Sequence, residues 1–111
     1  GTGTKANDIT EARAIRQVFG DTAPRTVSIK SMIGHSMGAA GALASIACAL
    51  ALTEGFIPPT INHDETDPEC GLDCVPNQAV AADLKVVQNN GLAFGGNNAV
   101  VIFGKSQADW S

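Results

Sequence analysis

Two short stretches hold most of the side chains able to do chemistry. Gly34-His35-Ser36-Met37-Gly38 has the spacing G-x-S-x-G, which between a strand and a helix lifts a serine hydroxyl onto a sharp elbow as an acyl-transfer nucleophile. On that α/β-hydrolase reading Ser36 attacks, and an acid and then a histidine must follow in chain order. The one later histidine is His63, and Glu54 is the sole acid between them, at the end of an apolar run. Such a triad has little room. Lys30 stands five positions before His35; read without wider context, it is a surface lysine at a strand end and His35 the residue leading into a helix. Gly1-Thr2-Gly3-Thr4 looks like the start of a phosphate-cradling glycine loop, but position 6 is Ala and no strand precedes it, so dinucleotide binding is not expected. Phe94-Gly95-Gly96 sets an aromatic ring in a glycine-rich turn, where an apolar anchor is common.

The cysteines offer less. Cys48 lies inside an apolar run, where desolvation keeps a thiol protonated and inert. Cys70 and Cys74 with His63 make three candidate zinc ligands, but a fourth is missing and C-x3-C is not a knuckle spacing. No metal site is expected. Three cysteines form no disulfide framework, which fits a reducing compartment and a cytoplasmic location.

The elements that position these residues follow from periodicity. Ile9, Ala12, Ile15, Val18 and Phe19 recur by threes and fours, predicting an amphipathic helix capped by Asp8, with Glu11 at capping-box spacing, and ended by Gly20 and Pro24. The β-prone run Thr26-Val27-Ser28-Ile29 predicts a strand or extended segment delivering the Lys30 to Gly38 loop. From Gly38 to Glu54 nearly every residue is Ala, Leu, Ile, Gly or Cys, and a helix apolar all round is a buried helix. A membrane span is not expected, since the run falls short of about 20 residues and lacks flanking anchors; Gly38, Gly41 and Ala42 suit close approach to another backbone. Gly55 to Asn77, rich in proline and acids, reads as a long solvated loop. Leu84 to Val87 and Ala99 to Phe103 read as strands able to pair as neighbours, separated by the turn-prone Asn89-Asn90-Gly91 and by the glycine-rich turn Phe94 to Asn98.

With 111 residues, 44% hydrophobic and 16% charged, the chain is a folded body of one domain at most, and not a disordered one. A formal charge of −4 leaves no basic footprint for nucleic acid. Four phenylalanines, one tryptophan and 12 glycines call for packing through small faces. The chain opens on Gly1 with no signal-peptide pattern, and a further segment upstream is expected.

Three motifs stand in a telling order: Gly1-Thr2-Gly3-Thr4 with Asn7-Asp8; Ser28-Ile29-Lys30-Ser31 with Gly34-His35 and Gly38-Ala39-Ala40-Gly41; and Phe94-Gly95-Gly96 with Asn98. In that order, and with Pro58-Pro59-Thr60-Ile61-Asn62 between them, the chain resembles the C-terminal part of elongating 3-oxoacyl-(acyl carrier protein) synthases, from residue 1 to about 105. The resemblance implies an α/β, thiolase-like fold, here the C-terminal half of a layered α/β/α/β/α architecture, and residues 1–111 as one beta-ketoacyl synthase C-terminal domain. It implies decarboxylative Claisen condensation in fatty-acid or polyketide assembly, with acyl carrier protein as partner, substrates on its phosphopantetheine arm, no metal or redox cofactor, no nucleic acid or membrane, and a homodimer or ketosynthase heterodimer.

The resemblance also assigns roles. His35 matches the second family histidine, whose neutral imidazole offers an N–H to the oxygen that gains charge as malonate decarboxylates. Lys30 matches the active-site lysine that orients the histidine or tunes its charge. Phe94 matches the gating phenylalanine, whose backbone N–H joins an oxyanion hole, with Gly95 and Gly96 freeing the loop to move. Thr2 and Thr4 match threonines that hold the phosphopantetheine arm. Departures accompany these matches: the nucleophilic cysteine and first histidine lie outside the chain, Ala44 stands where many relatives carry glutamate, and Gly91-Leu92-Ala93-Phe94 replaces Ser-Phe-Gly-Phe. A silent ketosynthase-like chain-length factor is the alternative, against which Lys30 and His35 both argue.

Overall fold

The computed structural model describes residues 1–106. They fall into two compact units: residues 1–35 with 58–80, and residues 36–57 with the chain from Ala81 onward.

The first unit opens with helix α1 (Lys5–Phe19), whose N-cap is Thr4: its hydroxyl accepts the Asn7 backbone N–H at 3.3 Å. This corrects the expected Asp8 cap. Both residue types cap helices, but the helix begins a turn earlier, leaving Asp8 within its first turn. Ala12 and Ile15 are buried whereas Val18 is 77% exposed, so only part of the anticipated apolar face is covered. Gly20 ends the helix at φ 61°.

At Thr26 to Ile29, expected as a strand or extended segment, no strand forms: its backbone bonds go elsewhere than to a ladder, and Ile29 has already turned to φ −69°, ψ −11°. Thr26 N–H donates to Asp73 C=O at 2.9 Å, and Ser28 N–H to the Thr60 hydroxyl at 3.3 Å. Ser31 Oγ donates to Ser28 C=O and accepts from Ile61 N–H. Arg25 pairs with Asp73 at 3.2 Å. The long acidic segment is thereby stitched to the motif-bearing one. Lys30–Ile33 then forms a single helical turn, α2, closed by Gly34 at φ 75°.

In the second unit, a 3-10 turn at Met37–Ala39 leads into α3 (Ala40–Glu54). Ala and Leu, strong helix formers, make up most of it, and Gly55 in the left-handed region (φ 71°, ψ 48°) ends it, its N–H donating to Ala51 C=O, the geometry for which glycine is favoured. Two short strands, β1 (Phe56–Ile57) and β2 (Val80–Ala81), follow. Strands β3 (Val86–Ala93) and β4 (Asn97–Gly104) form an antiparallel hairpin in which Val86 faces Gly104, Asn89 faces Val101 and Ala93 faces Asn97. Asn89-Asn90-Gly91, expected as a turn, thus sits inside β3; cross-strand pairing overrides the local turn preference. The chain reverses at Phe94–Gly96, as expected.

The hairpin packs on α3 but covers one side of it only. Ala51 and Leu52 are buried, while Ile46 is 57% and Leu50 50% exposed. The helix that composition marked as buried is therefore largely uncovered among the described residues, of which the hairpin and the adjoining short elements lie against it. Met37–Glu54, with mean hydropathy 1.5, is long and apolar enough to cross a membrane by length and composition.

Candidate functional site

Of the residues singled out in the sequence, Lys30, Thr2, Thr4 and His35 belong to the first unit, and Phe94, Gly95 and Gly96 to the second. The fold brings Lys30 and Thr2 together: Lys30 Nζ donates to Thr2 Oγ1 at 3.2 Å. This contact joins two motifs far apart in sequence, and beside it Ser28 Oγ donates to Gly1 C=O at 3.3 Å. Thr2 N–H in turn donates to Asp8 Oδ1 at 3.2 Å. The Asn7 side chain donates to the same Asp8 oxygen at 2.9 Å.

Thr4 does two things with one hydroxyl. Its oxygen accepts the Asn7 N–H, and a threonine O–H keeps its donor for another partner. His35 is exposed and follows Gly34, whose positive φ ends α2; two residues later Met37 adopts φ 51°. A non-glycine residue there is strained, a state that clusters at functional turns.

The serine-elbow alternative does not survive this geometry. A nucleophile elbow needs a strand running into the serine, whereas the helical turn α2 precedes Gly34 and the positive φ falls on Met37 and not on Ser36 (φ −82°, ψ 12°). Cys48 is half-buried, and desolvation raises its thiol pKa, so it is a poor nucleophile at neutral pH. Cys70 is also pushed up, by desolvation and by the charges of Asp67, Asp8 and Glu69. His63 does not turn toward the cysteines as a ligand: its Nε2 bonds the Thr66 hydroxyl at 3.1 Å, and its backbone is clasped by the Asn77 amide.

In the second unit Phe94 is 96% exposed at the tip of the hairpin. Gly95 and Gly96 both adopt φ 76°, which explains two consecutive glycines. Two asparagines that the sequence marked only as turn residues prove structural. Asn97 Nδ2 donates to Phe94 C=O at 2.9 Å. Asn89 Nδ2 donates to Gly41 C=O at 3.1 Å and to Ser45 Oγ at 3.0 Å, tying β3 to α3. The sequence signal for Asn89 was its place two residues after half-buried Val87, on the strand face turned to the helix.

Comparison with known proteins agrees with this organisation. The beta-ketoacyl synthase C-terminal domain family matches residues 1–64. Nodulation protein E of Rhizobium meliloti is 50% identical over 105 residues, 93% of this chain and 26% of that protein. The 3-oxoacyl-[acyl-carrier-protein] synthase 2 of Synechocystis is 45% identical over 109 residues, 96% of this chain and 26% of the relative. The chain thus spans about a quarter of the length of the curated relatives it matches. Among solved structures, a chain of the ishigamide ketosynthase/chain length factor superposes with TM-score 0.92 at 69% identity, covering 94% of this chain and 26% of that one. A type II polyketide synthase acyl-carrier protein in complex with its ketosynthase bound to the hexaketide gives TM-score 0.83 at 38% identity, covering 89% and 24%. With mixed helices and strands in the arrangement of ketosynthase chains, and a family match over more than half its length, the chain belongs to the beta-ketoacyl synthase C-terminal domain family.

Proposed function

We propose that this chain is the C-terminal part of a 3-oxoacyl-(acyl carrier protein) synthase that condenses an acyl thioester with a malonyl thioester, and that it forms the C-terminal half of a layered α/β/α/β/α thiolase-like body. The observation that carries the proposal is the meeting of two family motifs, with Lys30 Nζ on Thr2 Oγ1 at 3.2 Å and His35 five residues beyond that lysine. In such a body the uncovered face of α3 lies against the rest of the synthase rather than in a membrane.

The chemistry runs as follows. A cysteine thiolate from elsewhere in the synthase displaces the carrier thiol from the acyl thioester. The malonyl thioester then loses carbon dioxide, and the electrons of the broken C–C bond pass to its thioester oxygen. His35 donates an N–H to that oxygen, a fixed donor typically worth about 3 to 4 kcal/mol in the transition state. The carbanion attacks the acyl-enzyme carbonyl, whose oxyanion takes the Phe94 backbone N–H. Collapse breaks the C–S bond, returns the cysteine and leaves a 3-oxoacyl thioester. Lys30 orients His35 or sets its charge environment. Thr2 and Thr4 hold the phosphopantetheine arm, while Phe94 with Gly95 and Gly96 gates the acyl channel. No step requires a metal or redox cofactor. Acyl carrier protein as partner is supported by the neighbouring ketosynthase complex, and a paired ketosynthase assembly by the neighbour described as a ketosynthase/chain length factor.

That same neighbour raises the silent chain-length-factor reading, against which the presence of Lys30 and His35 weighs. Incubating the complete synthase with acyl- and malonyl-carrier proteins is expected to yield a 3-oxoacyl-carrier product by mass spectrometry, with an alkylatable cysteine that blocks it. A residue other than cysteine at the nucleophile position, with no product, would establish the silent partner instead.

A further inference from the structure

The turn that carries Phe94 is closed by a side chain outside the family motif roles assigned above. Asn97, the first residue of β4, pairs in register with Ala93, the last residue of β3. Its Nδ2 also donates to the Phe94 carbonyl at 2.9 Å. Phe94 is thus held on both sides: Ala93 is fixed by the ladder in extended geometry (φ −124°, ψ 166°), and the carbonyl beyond the Phe94 Cα is fixed by the Asn97 amide. Between Phe94 and Asn97 lie only Gly95 and Gly96, both at φ 76°. A Cβ at Gly95 would stand 3.5 Å from Asn97 Nδ2, an ordinary contact, so conformational freedom and not lack of space accounts for glycine there. In this closed turn the Phe94 ring is 96% exposed. The ring alone can turn about its Cα–Cβ bond, but a rearrangement of the turn that carries the Phe94 backbone with it rotates the peptide joining Phe94 to Gly95, and that peptide's oxygen is the acceptor of the Asn97 bond.

We propose that Asn97 is a positioning residue for the Phe94 gate: its amide clasps the Phe94 carbonyl and holds the turn in its ring-exposed conformation, so that breaking this bond is a step of gate movement. The proposal rests on the reading of Phe94 as a gate. A single neutral hydrogen bond shifts a two-state equilibrium by about three- to tenfold, enough to set the balance of two turn conformations of similar energy.

The complete synthase labelled with 4-fluorophenylalanine provides the test, with the Phe94 fluorine resonance identified by its loss in Phe94→Leu. Asn97→Asp keeps the shape and removes the donor; Asn97→Ala removes the side chain. Both are expected to move and broaden the Phe94 resonance, consistent with a population change of about three- to tenfold. The Phe103 resonance on the same hairpin should stay in place. Turnover should change by a similar factor with KM for the carrier protein unaltered, and Asn97→Ser, which returns a hydroxyl donor, should restore part of both effects. An unmoved Phe94 resonance in Asn97→Asp, while Phe94→Leu still alters turnover, would overturn the clasp and leave the gate standing. Joint displacement of Phe94 and Phe103 would overturn it in favour of general hairpin support. Unchanged turnover in Phe94→Leu would overturn the gate reading and the clasp's role with it.

Discussion

Asn89 offers the most direct link between the packing of the second unit and the turn that carries Phe94. Its amide nitrogen donates to Gly41 C=O and Ser45 Oγ, half-buried between β3 and α3. Asn89→Ala deletes both bonds. Gly41 C=O remains satisfied by the helical i to i+4 bond from the Ser45 N–H, and the part-buried Ser45 oxygen can accept from water in place of the Asn89 amide, so no buried acceptor is orphaned. Each bond therefore counts at the lower end of the usual 0.5 to 1.5 kcal/mol, about 1 to 2 kcal/mol together. The hairpin should open from α3 about 5- to 30-fold more often. Hydrogen exchange in the complete synthase reads this directly: amides of Val86–Ala93 and Asn97–Gly104 should lose protection by that factor, while the Thr26 amide, bonded to Asp73 C=O in the other unit, should not. Asn89→Asp should lose more, since it sets a carboxylate against a backbone carbonyl. Hairpin protection within about twofold of the parent in Asn89→Ala would refute the assigned strength of these bonds.

Other expected outcomes follow from single contacts. Thr4→Ala removes the acceptor of the Asn7 N–H and should destabilise α1 by about 1 kcal/mol, read as increased exchange of its first-turn amides, with Thr4→Ser near parental. Cys48, whose thiol is pushed up by burial, should react with iodoacetamide more slowly at neutral pH than a solvent-exposed thiol, its rate still climbing above the ordinary thiol pKa. Asp83 sits below its ordinary pKa because of its hydrogen bond and charge pairing with Lys105 at 2.9 Å. Being lowered on folding, its contribution is present above the unfolded carboxylate pKa and lost as pH falls through the folded value; an NMR titration should show the Asp83 midpoint rising toward the ordinary value in Lys105→Met.

Much of this architecture was legible where one residue type dominates. The unbroken small and apolar run ending at Gly55 announced α3, and the Phe94-Gly95-Gly96 turn announced a hairpin, since two glycines at positive φ have few other uses. Legibility failed where two local preferences competed. Thr4 and Asp8 are both good caps, and only the position of the first helical turn chose between them. Asn89-Asn90-Gly91 reads as a turn by composition, yet pairing across to Val101, Val100 and Ala99 draws it into a strand. Thr26 to Ile29 has strand propensity but meets Asp73 and Thr60 instead of a ladder. In the candidate site, Lys30 and His35 stood out by motif; the Lys30 to Thr2 contact is tertiary and invisible in either motif alone. Asn97 was hidden because asparagine after a glycine turn needs no special explanation until its amide is seen on the Phe94 carbonyl. Composition marked α3 as a buried helix, yet the described residues cover one side of it only, because an apolar pattern shows that a face needs cover and not what supplies it.

The decisive measurement separates the two half-reactions in the complete synthase carrying His35→Ala. Carbon dioxide release from malonyl-carrier protein is expected to fall by about 10²- to 10³-fold, the loss of one fixed donor at the developing oxyanion, while acyl transfer to the nucleophilic cysteine stays within about threefold of the parent, since that step makes no use of this donor. Decarboxylation at the parental rate in His35→Ala, or equal loss of both steps, would contradict the role given to this histidine.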